Sequence, residues 1–359
     1  MSILFPLLLS TESKNLRLQI YQAIISEIKN SNSKKRDENL NRRVQAILME
    51  IVTDDTSKKG KWAIQICREL WRKEIWRDPK TVLIMRTAAL HTNPQIVMGA
   101  VRFLLGENDD KKDKENSDNS DYENENAMLE GIEKVKKLKF KAQKSGMSGK
   151  KQRQIKKAVA LVKKRGKNRG EKKISLNFAA IHILHDPQAF AEQLFHRHLF
   201  KKSVLNEEQK LLLLNLLSRL IGSHKLYIEE FYSWILRFLI PRQLEVTKYL
   251  VAAAQATHEF VPPEFLMPVT RKIADEFVTG GVSSAVLQTG LNAIREICLR
   301  QPESIDTDML HDLIQYKDNG DSGVSSAARG IISVYRSVAP EMLKRKSFVA
   351  TPFTALFRS

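Results

Sequence analysis

The sequence predicts an all-α protein: a solenoid of paired helices in two parts, joined by a charged, largely disordered linker. Three observations predict it. Apolar residues recur at helical spacing through most of residues 1–106 and 174–346. Aromatics make up 7% of the 359 residues and alternating Val/Thr-rich runs are few, which argues against a β protein. Between the two helical regions, charge is sorted into an acidic tract followed by a basic one. A hydrophobic content of 42% gives both regions enough apolar surface for a core.

Residues 1–106 read as successive helices. Ile3 to Leu9 are apolar, but no basic residue precedes them and no small-residue cleavage site follows, so they read as a core helix and not as a signal peptide. Leu18, Tyr21, Ile25 and Ile28 share one face. So do Val44, Ile47, Leu48 and Ile51, and then Ala63, Ile66, Cys67, Leu70 and Trp71. Breaks fall at Asn30–Arg36, Thr53–Gly60, Asp78-Pro79 and Asn93-Pro94. Pro79 and Pro94 suit a first helical position, where the missing N–H costs nothing, and Gly106 suits a left-handed helix end.

The second region, 174–346, opens with Asp186-Pro187, a cap followed by a first-turn proline. Gln188 to Phe200 carries Phe190, Leu194 and Phe195 on one side. Glu207 to Ile221 holds six leucines, Leu211–Leu214, Leu216 and Leu217, and so must be covered on several sides. Further helices are expected over Tyr227–Leu239, Arg242–Phe260, Pro263–Phe277, Ser284–Arg300, Asp306–Tyr316 and Val324–Val338. Gly222, Pro241, Pro262-Pro263, Gly280-Gly281, Pro302 and Asn319-Gly320 read as the breakers between them. Helix pairs recur about every forty residues with no fixed period, which suits a HEAT- or armadillo-like array, with an irregular helical bundle as the alternative.

The linker divides into an acidic part, 107–133, and a basic part, 134–173. From Glu107 to Glu130 ten acids face only Lys111, Lys112 and Lys114. Asp109 to Asn126 cannot bury enough apolar area to offset chain entropy, so disorder is expected there. From Lys134 to Lys173 there are eighteen Lys or Arg against Glu171 alone. That is +17 out of a chain total of +18, so everything else sums to about +1. Two short helical stripes are expected within it, Ile132/Val135/Leu138 and Ile155/Ala158/Val159/Val162, broken by Gly146 and Gly149 and ended by Gly166 and Gly170.

A segment this basic binds phosphate backbones, is read by nuclear import receptors, or is merely solvated. The candidate RNA-binding residues are Lys136, Lys137, Lys139, Lys141, Lys144, Lys150, Lys151, Arg153, Lys156, Lys157, Lys163, Lys164, Arg165, Lys167, Arg169, Lys172 and Lys173. Lysine, a compact point charge, outnumbers arginine, and Phe140 is the one aromatic among them. The segment therefore favours backbone and shape over base stacking. The acidic tract is either a shield over the basic one, strengthened by phosphorylation of Ser117 and Ser120, or a solubilising spacer.

Other chemistry is thinly represented. Cys67 and Cys298 lie in apolar helical patterns, which rules out a disulfide framework or a cysteine zinc site and fits a reducing compartment. His182, His185, His196 and His198 read as helix histidines rather than metal ligands. His258-Glu259 lacks the second histidine of a zinc-protease helix. Gly146-Met-Ser-Gly149-Lys150 is too short for a phosphate loop. Glu229 and Glu230 are adjacent on a helix and point apart. Trp62, Trp71 and Trp76 read as core anchors. No catalytic residue, cofactor or metal is expected, and no run of about eighteen apolar residues exists to cross a membrane.

Several stretches carry a resemblance. They are Leu40-Asn-Arg-Arg-Val-Gln-Ala-Ile-Leu48, Lys59-Gly-Lys-Trp-Ala63, Glu69-Leu-Trp-Arg-Lys-Glu-Ile-Trp-Arg-Asp-Pro-Lys-Thr-Val82 and Phe103-Leu-Leu-Gly106. Asp186-Pro-Gln-Ala-Phe-Ala191, Leu217-Ser-Arg-Leu-Ile-Gly222, His258-Glu-Phe-Val-Pro-Pro263 and Leu291-Asn-Ala-Ile-Arg-Glu-Ile-Cys298 follow. Gly323-Val-Ser-Ser-Ala-Ala-Arg329 and Pro340-Glu-Met-Leu-Lys344 complete the set. In this order the chain resembles the nuclear large-subunit assembly factors first named for severe depolymerization of actin. The resemblance implies a non-enzymatic helical-repeat scaffold of nucleus and nucleolus. Its implied partners are 60S precursor rRNA, ribosomal proteins and other pre-60S assembly factors, with no membrane and no small-molecule substrate; a nuclear import receptor is the further partner that the basic run itself suggests. It further implies a role in maturation and export of the large subunit, and an indirect effect on actin organisation. A HEAT-type nuclear transport or adaptor protein is the alternative. By the family pattern a further helical region is expected before the equivalent of Met1. The tail 347–359, with Phe348, Phe353 and Phe357, departs from the expected basic continuation, and the family's far carboxy-terminal charged segments are not seen.

Overall fold

The structure, a computed structural model, describes residues 4–11, 13–33, 36–54, 59–106, 178–201 and 204–343. The acidic and basic linker parts, 107–133 and 134–173, and the tail 347–359 lie outside the described residues. Among the described residues every regular element is a helix. The architecture is a helical-repeat solenoid of paired α-helices.

Six helices precede the linker: α1 (Leu4–Ser10), α2 (Lys14–Ser31), α3 (Glu38–Thr53), α4 (Gly60–Arg72), α5 (Pro79–Ala89) and α6 (Pro94–Leu105). Local chemistry sets their ends. Asp37 Oδ1 accepts the Leu40 N–H at the start of α3, and Asn93 Oδ1 accepts the Gln95 N–H at the start of α6. Pro79 and Pro94 each occupy the first helical position. Gly106, at φ 77°, closes α6 in the left-handed conformation that a Cβ would penalise. The α4 stripe is buried at all five expected positions. The α2 stripe is not the expected one: Ile20, Ile24, Ile25 and Ile28 are buried, whereas Leu18 is exposed. Ile20/Ile24/Ile28 continues the apolar row at i+4, and Leu18 falls off its edge.

After the linker come α7 (Phe178–His182), α8 (Pro187–Leu194) with a turn of π-helix over Phe195–Phe200, α9 (Glu207–His224) and α10 (Glu229–Ile235). Then follow α11 (Val246–Ala256), α12 (Pro263–Phe277), α13 (Ser284–Arg300), α14 (Thr307–Gln315) and α15 (Ser322–Val338). Asp186 caps α8 through the Ala189 N–H, Asp306 caps α14 through the Met309 N–H, and Asp321 caps α15 through the Gly323 N–H. Two expected helices are shorter than their apolar patterns. α11 begins only after Glu245, which sits at φ 57°, and ends at Ala256; α10 tightens into a 3₁₀ turn over Leu236–Phe238. Gly222 does not break α9 but lies inside it, and the helix runs on to Lys225 at φ 52°.

The described residues divide into two compact units. The first comprises residues up to 51, 59–85 and 102 onward to 183; the second comprises 52–58, 86–101 and the residues from 184. Residues 86–101 thus belong with the second region although the sequence groups them with the first. Arg86 lies 5.9 Å from the Phe190 ring, and the Ala89 carbonyl is bonded by His198.

In the second unit the helices alternate between two layers. α8 packs on α9, α10 on α11, α12 on α13 and α14 on α15. Within one layer α9 packs on α11, α11 on α13 and α13 on α15. Polar side chains tie each pair to the next. Gln188 Nε2 donates to Tyr227 O at 2.9 Å, His258 Nε2 to Leu226 O at 2.7 Å, and Gln301 Nε2 to Val261 O at 2.9 Å. Thr270 Oγ1 donates to Ser304 O at 2.6 Å. These bonds span 39, 32, 40 and 34 residues, so the interval of about forty read from the sequence is a physical joint.

Candidate functional site

The seventeen basic residues proposed for RNA binding, Lys136 to Lys173, all lie outside the described residues, as does Gly146–Lys150. What the structure decides is the role of the other candidates. In the first unit, Asn41 on α3 sits at the centre of a buried polar knot. Its Oδ1 accepts the Trp76 indole N–H at 2.9 Å and the Asn32 side-chain N–H at 3.0 Å. Its own amide donates to Asn32 Oδ1 at 2.8 Å. One turn on, Gln45 donates to Thr81 Oγ1 at 3.3 Å. Asp78 pairs with Arg36, and Trp71 meets Phe103 edge-on at 5.3 Å. Trp71 and Trp76 are fully buried. Trp62 is only half-buried, against Tyr21 at 5.9 Å; burial pushes the Tyr21 hydroxyl up to about 12.

The four clustered histidines do separate work. His198, in the π turn, is buried and its Nε2 donates to Ala89 O at 3.0 Å; burial lowers its pKa below the ordinary histidine value. His196 faces Glu230 at 3.4 Å, half-exposed. His182 ends α7 and His185 lies exposed in the turn that follows. Among the described residues no group of three His, Cys, Asp or Glu side chains gathers as metal ligands would. Cys67 and Cys298 are buried, and burial raises both thiols, Cys67 to about 12, which leaves them protonated and unreactive.

His258 is a brace. Its Nδ1 accepts the Phe260 N–H at 3.3 Å, which leaves Nε2 as the donor to Leu226 O. Gln301 holds Glu259 O and Val261 O from the other side. The loop is therefore fixed between two neighbouring repeats. Phe260 is left 65% exposed with Lys225 Nζ 4.9 Å from its ring centre.

The family described as "SDA1, HEAT repeat" matches residues 1–320. The chain belongs to the SDA1 HEAT-repeat family. It is 42% identical over 350 residues to Protein SDA1 of Chaetomium thermophilum, covering 96% of this chain and 44% of that protein. It is 39% identical over 363 residues to Protein sda1 of Schizosaccharomyces pombe, covering 95% of this chain and 49% of that one. A Xenopus laevis SDA1 homolog is 38% identical over 346 residues, with 96% and 48% covered. The chain thus spans a little under half the length of these relatives.

The stretches that carry the SDA1 resemblance are mostly joints and core. Asn41, Gln45, Trp71, Trp76 and Thr81 build the first unit's interior. His258 fixes a loop, and Leu291, Ile294, Ile297 and Cys298 form the inner face of α13. In this chain these stretches do structural work. Sequence reading missed the bracing roles of Gln301, Thr270 and Asn32, whose partners lie 40, 34 and 9 residues away along the chain.

Proposed function

We propose that this SDA1-family chain is a non-enzymatic scaffold of precursor 60S ribosomal particles. In this reading the helical-repeat units present fixed surfaces to ribosomal proteins and other assembly factors, and the basic stretch 134–173 grips pre-rRNA. The protein acts in nucleolus and nucleus, supports large-subunit maturation and export, and is carried inward by an import receptor that reads the same basic stretch. One observation supports this most: the forty residues 134–173 carry a net charge of +17, against +8 over the 106 residues 1–106 and 0 over residues 174–346.

The test replaces Lys150, Lys151, Arg153, Lys156, Lys157, Lys163, Lys164 and Arg165 by Gln. Each phosphate contact contributes roughly 0.7–0.9 to the slope of log affinity against log salt. The variant should leave precursor particles at lower salt in gradient sedimentation and show a flatter salt dependence. Unchanged association overturns the RNA role. A nuclear transport or adaptor protein, the second reading, would instead sediment free of the particles, and a direct actin role would require co-pelleting with purified filaments.

A further inference from the structure

Two neighbouring loops of the second unit carry apolar side chains that no described helix covers. Val204 precedes α9 and Leu244 precedes α11, at 83% and 77% exposure, and Phe200 and Ile240 in the same two loops are exposed as well. The loops adjoin because α9 and α11 pack side by side and run in one direction. Towards their ends Ser218 Oγ donates to Gln255 Oε1 at 3.0 Å. At their starts burial raises the Tyr249 hydroxyl of α11, and the Glu207 carboxylate of α9 adds to that rise. Aromatic rings run in series beneath the loops. Phe200 lies 5.8 Å from Phe195, Phe195 5.8 Å from Trp234, Trp234 4.6 Å from Phe238, and Phe238 4.8 Å from Tyr249. The bare side chains are therefore backed by packed rings.

The patch is also cationic. From Phe200 to Asn206 and from Leu236 to Lys248 the sequence holds Lys201, Lys202, Arg237, Arg242 and Lys248 against Glu245 alone. Lys248 takes Glu245 at 3.2 Å, and Lys210 takes Glu207 at 2.7 Å. Glu208 sits in the first turn of α9, where the helix dipole favours it. Lys201, Arg237 and Arg242 are exposed and make no ion pair among the described residues. The corresponding loops of the next two pairs differ: one has Gly280 and Gly281 in open space, and the other sets Asp318 and Asp321 beside Lys317 in sequence.

We propose that this patch docks the chain's own acidic segment 121–133. That segment holds Asp121, Glu123, Glu125, Glu130 and Glu133 with no Lys or Arg, and Tyr122, Met128, Leu129 and Ile132 stand among them. Its carboxylates meet Lys201, Arg237 and Arg242, while its apolar side chains cover Phe200, Val204, Ile240 and Leu244. Residues 107–120 fit less well, because Lys111, Lys112 and Lys114 offset their acids and no apolar side chain lies among them. The basic stretch has apolar side chains of its own, Ile155, Val159 and Val162, but its lysines would face the cations of the patch. RNA has the right charge and no use for bare valine, isoleucine and leucine. The segment also has the reach. From Glu133 to Leu184, where the second unit resumes, is 51 residues along the chain. A random coil of that length spans roughly 40 Å and keeps its end at roughly millimolar effective concentration, so weak contacts suffice. The proposal stands whether or not the basic stretch binds RNA.

The experiment traps the contact in the full chain with paired cysteines, Cys67 and Cys298 being buried. Leu244→Cys is combined with Met128→Cys or with Val159→Cys, and disulfide formation under mild oxidation is followed by mass spectrometry. Val159 is nearer to the second unit along the chain, so random encounter favours it. The Met128 pair is nevertheless expected to close about tenfold faster than the Val159 pair. Arg237→Glu/Arg242→Glu should bring the two rates together, and Arg242→Glu alone serves if the double variant loses its melting transition. A Val159 pair that closes as fast in the parent chain, a lead that survives charge reversal, or disulfides formed only between two chains overturn the proposal. So does single-stranded RNA that suppresses the Met128 disulfide in a chain whose basic stretch carries the eight Gln replacements, since that places RNA on the patch.

Discussion

Asn41 and Trp76 allow a quantitative test of the claim that the SDA1 motif is structural. Trp76 is fully enclosed, and its N–H has Asn41 Oδ1 as acceptor. Trp76→Phe removes one buried hydrogen bond, worth about 1 kcal/mol, and leaves a void worth about another 1–2 kcal/mol. Asn41→Leu keeps the volume but strands the indole N–H and breaks both bonds to Asn32, at a cost of about 3 kcal/mol. In the double variant no indole N–H remains to be stranded. Its loss should therefore fall about 1–2 kcal/mol short of the sum. Urea unfolding of the full chain measures this. Trp62, Trp71 and Trp76, three of the four tryptophans, belong to the first unit, so fluorescence and near-ultraviolet dichroism report mainly on it. Costs that add within about 0.5 kcal/mol would mean that the knot does not couple the two residues and would refute the reasoning.

Two further predictions concern the second unit. Gly222→Ala should destabilise by about 1–3 kcal/mol despite alanine's better helix propensity, because its Cβ would press on the Gln255 backbone; Gly280→Ala, with nothing within 4 Å, should be neutral or slightly stabilising. Calorimetry of both variants checks the contrast, and equal effects would contradict it. The second concerns pH. Burial holds His198 below its ordinary value of 6.5, so between 6.5 and the folded-state value the unfolded chain binds a proton that the folded chain refuses. The stability this contributes is full above about pH 6.5 and is lost as pH falls below it. The melting temperature should drop on acidification from pH 7.5 to 5.5, and His198→Gln should flatten that drop; an identical drop in the variant would remove His198 as its source.

Helix starts were legible because they depend on chemistry within four residues. Asp186-Pro187, Asn93-Pro94 and the Asp306 cap need only their own neighbours. Helix ends were less so. Thr257, His258 and Phe260 continue the apolar rhythm of α11 yet form a loop, because the partners that hold them, Leu226 and Gln301, are more than thirty residues away. Gly222 and Gly280 look equivalent in sequence. One permits a close helix approach and the other lies in the turn after α12 with open space around it, and only the neighbouring backbone distinguishes them.

The buried polar bonds and the basic stretch answer two different requirements. Layers of leucine and alanine give an array cohesion but little register, since one apolar ridge fits a neighbour's groove about as well as the next. A bond from His258 to Leu226 O or from Gln301 to Val261 O fits one register only, and a slip would bury both partners unsatisfied at about 1–3 kcal/mol for each group. Polar joints thus specify the stacking that apolar burial drives. Seventeen net positive charges distributed over the same helices would oppose that stacking by mutual repulsion. Concentrated between Lys134 and Lys173, they leave the helices of residues 174–346 with no net charge, so a mutation that removes charge from the basic stretch need not weaken that fold.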